Sequence, residues 1–316
     1  MNPVNIEPYK LPADATWLVT GCSSGIGREI ATLIANKPNQ RIIATARNPN
    51  DLSYLPDGNP NILKLALDVT SVESVDTAFA NVARHFGENF YLDVVVNNAG
   101  YSLSGDTEGA TEEEIHRAME TVFFGTVRVT TRSVAVMRQG GGRGGLIFQI
   151  SSLAGLCAFP GHAFYHAGKF AVEGFSESVA REMHSDWNGE FFEYFDVGNG
   201  SELIVLVNFC IVEPSGVKSN FEGHSRANIV PHPAYKDESM PARKLEKYVD
   251  AGRKLGVGME PAALAEVLFM IASRGERVPL RLPLGAVSWK LSKLKFETLL
   301  EDFEAVKSIS AMGQEI

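Results

Sequence analysis

A tyrosine and a lysine in the middle of the chain have the spacing that brings two side chains together on a helix. Tyr165 and Lys169 stand four positions apart, so on a helix both project from one face. The lysine ammonium would lower the pKa of the phenol from its ordinary value of about 10 toward neutrality, which lets the phenol donate or accept a proton. Ser152, thirteen positions before Tyr165, would hydrogen-bond the oxygen atom of the reacting molecule with which the phenol exchanges its proton. For Tyr165 alone, a buried aromatic ring with a satisfied hydroxyl is the alternative.

A glycine-rich turn lies near the start of the chain. The sequence TGCSSGIG occupies residues 20–27, after a short apolar run and before a stretch of helical periodicity. Gly21, Gly25 and Gly27 let the backbone turn tightly and let a pyrophosphate approach the N–H groups of a helix N-terminus, where the helix dipole favours anions. A dinucleotide-binding fold needs its phosphate site at this place, between the first strand and the first helix. A tight turn without a ligand is the alternative.

Short apolar runs alternate with longer amphipathic stretches, which is the pattern of βαβ units. The runs are rich in Val, Ile and Leu without polar alternation, as expected for strands buried on both faces. The sequence therefore predicts an α/β fold of the Rossmann type: a doubly wound, mostly parallel sheet with helices on both faces. The predicted strands are 17–20, 41–46, 62–67, 92–97, 146–151 and 203–212. The predicted helices are Gly25–Asn36, Val72–Phe86, Glu112–Arg138 and Tyr165–His184.

The chain divides into three parts: an N-terminal extension, 1–14, a single Rossmann-type domain, 15–285, and a helical tail, 286–316. Residues 187–202 form an insertion that we interpret as dispensable or even non-native, because helix-to-strand connections are usually only about 2–6 residues long. GEF at 189–191 can be encoded by a splice-donor-like sequence, so a retained intron is one origin for it. The Pro-, His- and charge-rich segment 215–258 is either a lid over the substrate or a solvated loop. The tail carries apolar residues on one helical face, which predicts docking against its own domain or a partner subunit.

Taken together, these motifs resemble the short-chain dehydrogenase/reductase family. Residues 20–27 match its TGxxxGxG motif, NNAG at 97–100 follows the fourth strand, and Ser152, Tyr165 and Lys169 have the spacing of its catalytic residues. The run EPSG at 213–216, with Ser219, is similar to the Pro-Gly turn that lies beside the nicotinamide in the family, although it is altered at Ser215 and Ser219. The resemblance covers residues 15–285, and residues 165–182 are similar to the branch of 17-beta-hydroxysteroid dehydrogenase type one and retinol dehydrogenases.

The resemblance implies an NADP-preferring oxidoreductase that interconverts a ketone or aldehyde and an alcohol on a fairly apolar small molecule. It implies that Tyr165 is the general acid or base beside hydride transfer, that Ser152 bonds the carbonyl oxygen and that Lys169 also holds the nicotinamide ribose. A catalytically weak NADPH-binding regulatory or scaffold protein is the competing class. The implied cofactor-binding residues are Thr20, Gly21, Ser23, Ser24, Gly25, Ile26, Gly27, Arg47, Asp68, Val69, Asn98, Ala99, Gly100, Tyr165, Lys169, Pro214, Gly216, Val217 and Ser219.

The choice between NADP and NAD is expected at the end of the second strand. An acidic residue there would bond the ribose 2′-hydroxyl and repel a 2′-phosphate, whereas Ala46 followed by the cationic Arg47 does the reverse. The residues therefore favour NADP(H). A solvated surface arginine is the alternative, and Ser24 lacks the basic side chain that some NADP-dependent relatives carry in the glycine turn.

Substrate contacts are expected after the fourth and fifth predicted strands, because doubly wound sheets bind ligands at the carboxyl ends of their strands. Ordinary loop packing is the alternative for these residues. His162 and His166 flank Tyr165 at helical spacing, but the sequence shows no third ligand, so we expect no metal site. The candidate substrate contacts are Tyr101, Ser102, Leu103, Phe159 and His162.

Val122 departs from the family pattern. Aligning on Gly125 places Val122 where relatives have the asparagine of a catalytic tetrad. In relatives, the backbone carbonyl of that asparagine holds a water that links the lysine to bulk solvent. Its side chain helps to bend the helix. Valine keeps the carbonyl but has no amide, and its branched Cβ resists irregular backbone. Either the bend survives and the proton relay is somewhat impaired, or the helix straightens and turnover falls sharply. We expect the first.

Composition excludes several other classes. The 316 residues are 45% hydrophobic with a formal charge of −9, and no Lys/Arg run is long enough for nucleic acid. The longest apolar run, 203–212, is about half of what a membrane-spanning helix needs, and the N-terminus has no signal-peptide pattern. Cys22, Cys157 and Cys210 stand far apart, as in a reducing compartment. We therefore expect a cytoplasmic protein. The family resemblance implies a homodimer or homotetramer, paired through the helices 112–138 and 165–184 as in relatives.

Overall fold

The computed structural model describes residues 4–5, 7–87, 90–139, 143–183, 207–219, 221, 223 and 225–312. Seven parallel strands form its main sheet, in the order β3-β2-β1-β4-β6-β7-β9, and β5 pairs with β8 apart from it. This confirms the predicted α/β fold of the Rossmann type. The strands are β1 (Thr16–Val19), β2 (Arg41–Ala46), β3 (Ile62–Ala66), β4 (Val94–Asn97), β5 (Ser102–Ser104), β6 (Gly145–Ile150), β7 (Val207–Pro214), β8 (Arg226–Asn228) and β9 (Arg281–Leu284).

Helices cover both faces of the sheet and give two apolar cores. Trp17 of β1 lies in the core under the first and seventh helices, whereas the next residue, Leu18, lies in the core under the second, fourth and fifth. Alternate residues therefore face opposite cores, which explains why the strands are apolar at every position. The helices are α1 (Gly25–Ala35), α2 (Val72–Phe86), α3 (Glu112–Met119), α4 (Gly125–Gln139), α5 (Ala163–Glu182), α6 (Pro241–Lys254), α7 (Pro261–Ser273) and α8 (Ala286–Ala311).

Two expectations about the chain after β6 need correction. The sequence predicts no strand after 203–212, but β9 pairs with β7 in parallel at the edge of the sheet. The segment 215–258 is neither a solvated loop nor irregular throughout, since it contains β8 and α6. The buried Asp106, next to β5, holds this segment by accepting hydrogen bonds from Arg243 of α6 at 2.7 Å and from the His232 N–H at 3.1 Å.

The predicted helix 112–138 is interrupted. A π-helical segment, Glu120–Phe124, separates α3 from α4. The predicted insertion 187–202 lies outside the described residues.

Both ends of the described chain pack against the domain. The Asn5 amide bonds the backbone of Phe209 and Val278 across the sheet, and the Tyr9 hydroxyl donates to Asp93 O at 3.1 Å. At the other end, α8 docks through its first two turns, where Ser288 and Ser292 are buried, and then continues with exposed side chains. The expected docking of the tail against its own domain therefore applies to its start. Among the described residues, no helix combines the length and apolar character needed to cross a membrane.

Candidate active site

The carboxyl ends of β1, β4, β6 and β7 lie side by side at one edge of the sheet, and the segments that follow them carry most of the predicted site residues. The direction in which successive strands are added reverses between β1 and β4. β2 and β3 lie on one side of β1, and β4 lies on its other side. Doubly wound sheets bind their ligands in the crevice at this switch point.

Thr20 and Asn98 join the first two of these segments. The Thr20 hydroxyl accepts the N–H groups of Asn98 at 2.9 Å and of Ala99 at 3.0 Å. In return, the Asn98 amide donates to Thr20 O at 2.9 Å and to Gly21 O at 3.1 Å. The glycine turn and the NNAG turn predicted from the sequence are therefore locked together, with Gly100 at the open end.

Two glycines of the turn have steric reasons to be glycine. Gly21 has a φ of +70°, which side chains disfavour. A Cβ on Gly27 would overlap Gly21 O and lie 2.6 Å from the Asn98 amide nitrogen. The first turn of α1 therefore packs directly on the glycine turn and on Asn98, which sets the position of the helix N-terminus.

The residues around this turn fit a dinucleotide. Ser24 precedes α1 without a side-chain capping bond to any described residue, so its hydroxyl does not occupy the anion-binding end of the helix. Across the turn, a Cβ on Gly25 would lie 3.4 Å from Ser219 Cβ, and a Cβ on Gly216 would have no described atom within 4 Å. The Gly216 segment is fixed to Met259 by paired backbone hydrogen bonds. The glycine turn and a facing loop thus border the same crevice.

Lys169 lies buried below the predicted catalytic tyrosine. Its Nζ donates to Ile150 O at 2.6 Å and stands 5.8 Å from the centre of the Tyr165 ring. A Cβ on Gly100 would lie 4.0 Å from this nitrogen, so the lysine also faces the NNAG turn. Burial lowers the pKa of Lys169 to about 8, and the charge of Glu173 opposes that shift.

Ser152 lies between the ends of β6 and β7. Its hydroxyl accepts the Ala154 N–H at 3.1 Å and donates to Pro214 O at 3.5 Å. Because Ser152 comes two residues after Ile150, the backbone that holds Lys169 also positions this hydroxyl. The structure thus brings the serine, the lysine and the tyrosine ring to one end of the sheet, as the spacing predicts.

The residues expected at the adenosine end lie along β2 and β3. Arg47 is exposed directly after β2. The Asp68 carboxylate accepts from the N–H and the hydroxyl of Thr70, at 2.9 and 2.7 Å. Val69 is buried against Gly125, where a Cβ would lie 2.6 Å from a Val69 methyl group.

The helix bend expected at Val122 is present. Gly125 N–H bonds Glu120 O, five residues back, which is the pattern of a π-helix. Thr126 donates its hydroxyl to Val122 O at 2.8 Å. The bend therefore forms without an asparagine side chain, and one lone pair of the Val122 carbonyl is used by Thr126.

The predicted substrate contacts lie around the start of α5. The Tyr101 hydroxyl is buried without a hydrogen-bond partner among the described residues. The ring of His162 bonds the Ser104 hydroxyl at 3.1 Å. Leu103 is only 1% exposed and packs with Ile229 behind this surface, and Ser102 is also buried.

Two further residues shape this side of the site. Phe221 lies 5.9 Å from Tyr165 between ring centres. His166 accepts the Phe159 N–H at 3.0 Å and donates its other ring nitrogen to His162 O, so these contacts assign it as neutral. Burial lowers the pKa of His166 accordingly. The sequence carried no signal for the position of Phe221, which is 56 residues from Tyr165.

Comparisons with known proteins agree with this geometry. The short chain dehydrogenase family matches residues 15–187. The chain is 59% identical to oxidoreductase calM of Penicillium decumbens over 313 residues, covering 99% of this chain and 97% of that protein. It is 32% identical to human retinol dehydrogenase 8, covering 85% and 81%. A crystal structure of a short-chain dehydrogenase from Streptomyces avermitilis superposes with a TM-score of 0.76 at 29% identity, covering 94% and 98%. The chain belongs to the short-chain dehydrogenase/reductase family of NAD(P)-dependent oxidoreductases.

Proposed function

We propose that the protein is an NADP(H)-preferring oxidoreductase that interconverts a ketone or aldehyde and an alcohol on a fairly apolar small molecule. The observation that carries the proposal is the placement of Lys169. It is buried beside the Tyr165 ring and bonded to the backbone that leads into Ser152. A buried ammonium at this place favours the phenolate form of the tyrosine.

The three side chains divide the proton chemistry between them. In reduction, Tyr165 gives its hydroxyl proton to the carbonyl oxygen as that oxygen gains charge, and Ser152 donates a hydrogen bond to the same atom. Lys169 stabilises the phenolate that is left. In oxidation, the phenolate takes the proton of the alcohol. The nicotinamide, when bound, supplies or accepts the hydride.

We assign the cofactor to the crevice between the glycine turn and the facing loop. The N-terminus of α1, with residues 20–27, would hold the pyrophosphate, and Asn98 to Gly100 with Lys169 would border the nicotinamide ribose. Arg47 would bind the 2′-phosphate, while Asp68 and Val69 would contact adenine. Pro214, Gly216, Val217 and Ser219 would cover the nicotinamide from β7. The positive-φ glycines and the Ser219 contact with Gly25 support this assignment.

The substrate would enter between Phe221, Phe159, Tyr101 and His162. The Phe221 ring lies beside Tyr165, and the rings of Phe159 and His162 contact His166, the next residue on α5, which favours an apolar substrate. Human retinol dehydrogenase 8, a relative, is named for an apolar alcohol. A cytoplasmic location is supported by the three unpaired cysteines.

The test is NADPH consumption against a panel of ketones, aldehydes and quinones. We expect turnover with at least one apolar carbonyl compound, and its loss in Tyr165→Phe with NADPH binding retained, because the phenylalanine keeps the ring and removes the proton. Binding of NADPH with no turnover across the panel would instead favour the regulatory or scaffold protein.

A further inference from the structure

A buried carboxylate, Glu173, follows Lys169 at the spacing that places two side chains on one face of a helix. Glu173 stands one helical turn after Lys169 on α5 and is 3% exposed. Its carboxylate accepts the Ser151 hydroxyl at 2.6 Å and binds Arg281 of β9. Ser151 lies between Ile150, which accepts the Lys169 ammonium, and Ser152. Glu173 therefore connects both halves of the site, α5 and the end of β6.

The backbone leaves room for this contact. A Cβ on Gly155 would overlap both the Glu173 carboxylate and the Ser151 hydroxyl. Any side chain at this position would therefore displace the pair. Gly155 ends the short turn after Ser152, so the turn that shapes the active site also accommodates the carboxylate.

Arg281 holds Glu173 and two other carboxylates. Its guanidinium bonds Glu213 of β7 at 3.0 Å and Glu177 of α5 at 3.2 Å. Glu213 is buried and directly precedes Pro214, and burial raises its pKa to about 7. Burial likewise raises the pKa of Glu173, against its bonds to Ser151 and Arg281. The thiol of Cys157 is a further titratable group that faces Glu173 and Glu213.

The charges explain why Lys169 needs this partner. A buried ammonium pays a large desolvation cost, and the carbonyl of Ile150 offers it only a dipole. Glu173 supplies the opposite charge in the same water-poor environment. Tyr165, on the other side of the lysine, is neutral when it is ready to donate its proton and so does not supply that charge.

We propose that Glu173 is the positioning residue that keeps Lys169 protonated beside Tyr165, with Ser151 and Arg281 fixing its carboxylate. This role rests on the proposed function for its catalytic consequence, but the charge state of Lys169 can be measured without catalysis. Glu173 itself touches neither substrate nor cofactor. It acts through the lysine.

The first experiment is an NMR titration of the lysine side chains in the cofactor-free protein, with the Lys169 signal assigned by its loss in Lys169→Met. Glu173→Gln should lower the Lys169 pKa by at least about one unit. Glu177→Gln is the matched control, because it removes a carboxylate from the same helix and the same arginine without facing Lys169. An equal shift in both variants, or none in Glu173→Gln, would overturn the proposal.

The second experiment is the pH profile of carbonyl reduction. The limb at high pH should move to lower pH in Glu173→Gln, since the lysine loses its proton earlier, and Glu173→Asp should restore it in part. If Glu173→Gln does not fold, Ser151→Ala keeps the charge and frees the carboxylate, and a smaller shift of the Lys169 titration in the same direction is expected. An unchanged titration in Ser151→Ala would then count against the proposal. Wild-type protein without turnover would refute the proposed function and leave the NMR result to decide the role of Glu173.

Discussion

The side chain of Val122 lies directly against Gly168, which is the residue before Lys169 on α5. A Cβ on Gly168 would stand 3.0 Å from a Val122 methyl group, so the π-helical segment and α5 approach each other closely at this point. A valine in the bend and a glycine in the facing helix turn complement each other in volume.

Val122→Asn should raise turnover several-fold with little change in NADPH affinity. The amide would supply polar groups at the bend, which the valine side chain lacks, while the backbone carbonyl stays in place. Val122→Ala is the control, because it loosens the same contact without adding an amide. Steady-state kinetics and NADPH fluorescence titration measure both quantities. No gain for asparagine over alanine would show that the relay does not limit turnover.

Gly168→Ala should be tolerated better when Val122 is shortened. Alanine is the better helix former by about 1 kcal/mol, but its methyl group would press on Val122, and overpacking costs about 1–3 kcal/mol. In the Val122→Ala background that contact disappears. The double-mutant cycle should therefore show a coupling of about 1 kcal/mol in the free energy of unfolding, measured by urea denaturation. Additive effects would contradict the contact.

Arg47→Asp should weaken NADPH binding by tenfold or more, about 1.4 kcal/mol, and NADH binding much less. The substitution exchanges attraction for repulsion at a 2′-phosphate, which NADH lacks. Arg84→Asp changes the net charge equally at an exposed position in the last turn of α2, near the start of β2 and so at the opposite end of that strand from Arg47, and should leave both affinities unchanged. An equal loss for both cofactors in Arg47→Asp would argue for a solvated surface arginine.

Phe221→Ala should raise KM for apolar substrates about tenfold, since burying an aromatic side chain contributes about 1.5–3 kcal/mol. The Phe221 ring lies beside Tyr165, where the substrate would pack. Tyr248→Ala removes an exposed aromatic side chain from the same 215–258 segment and serves as the control. NADPH affinity should stay constant in both variants. Identical kinetics in the two would place Phe221 outside the substrate site.

The protein should form a homodimer through α4 and α5. Phe124, the last residue of the π-helical segment before α4, and Phe170 on α5 expose 46% and 44% of their surface, which leaves apolar area for a partner subunit. Phe124→Asp should shift the sedimentation coefficient toward the monomer at micromolar concentration. Phe303 on α8 is 70% exposed and belongs to the other apolar face, which the C-terminal helix carries. Phe303→Asp tests that face and should leave assembly unchanged. The reverse result would assign the interface to α8.

Features that depend on neighbouring residues could be predicted from the sequence. Apolar runs predicted the central strands because both faces of a parallel sheet are buried, and Gly21 and Gly27 marked the tight turn between β1 and α1 because a side chain does not fit there. Tyr165 and Lys169 could be paired because helical spacing is a local property. The bend at Val122 was expected from the family resemblance, aligned on Gly125, because the valine side chain itself resists irregular backbone.

Only the tertiary structure decided the contacts between distant segments. β9 is a short strand that contains Arg281 and Pro283, so its apolar signal is weak, and it joins the sheet because β7 offers it an edge. Phe221 reaches Tyr165, and Arg281 reaches Glu173, through the packing of separate elements. Local periodicity carries no information about such pairs, because their energies depend on where the folded chain brings them together.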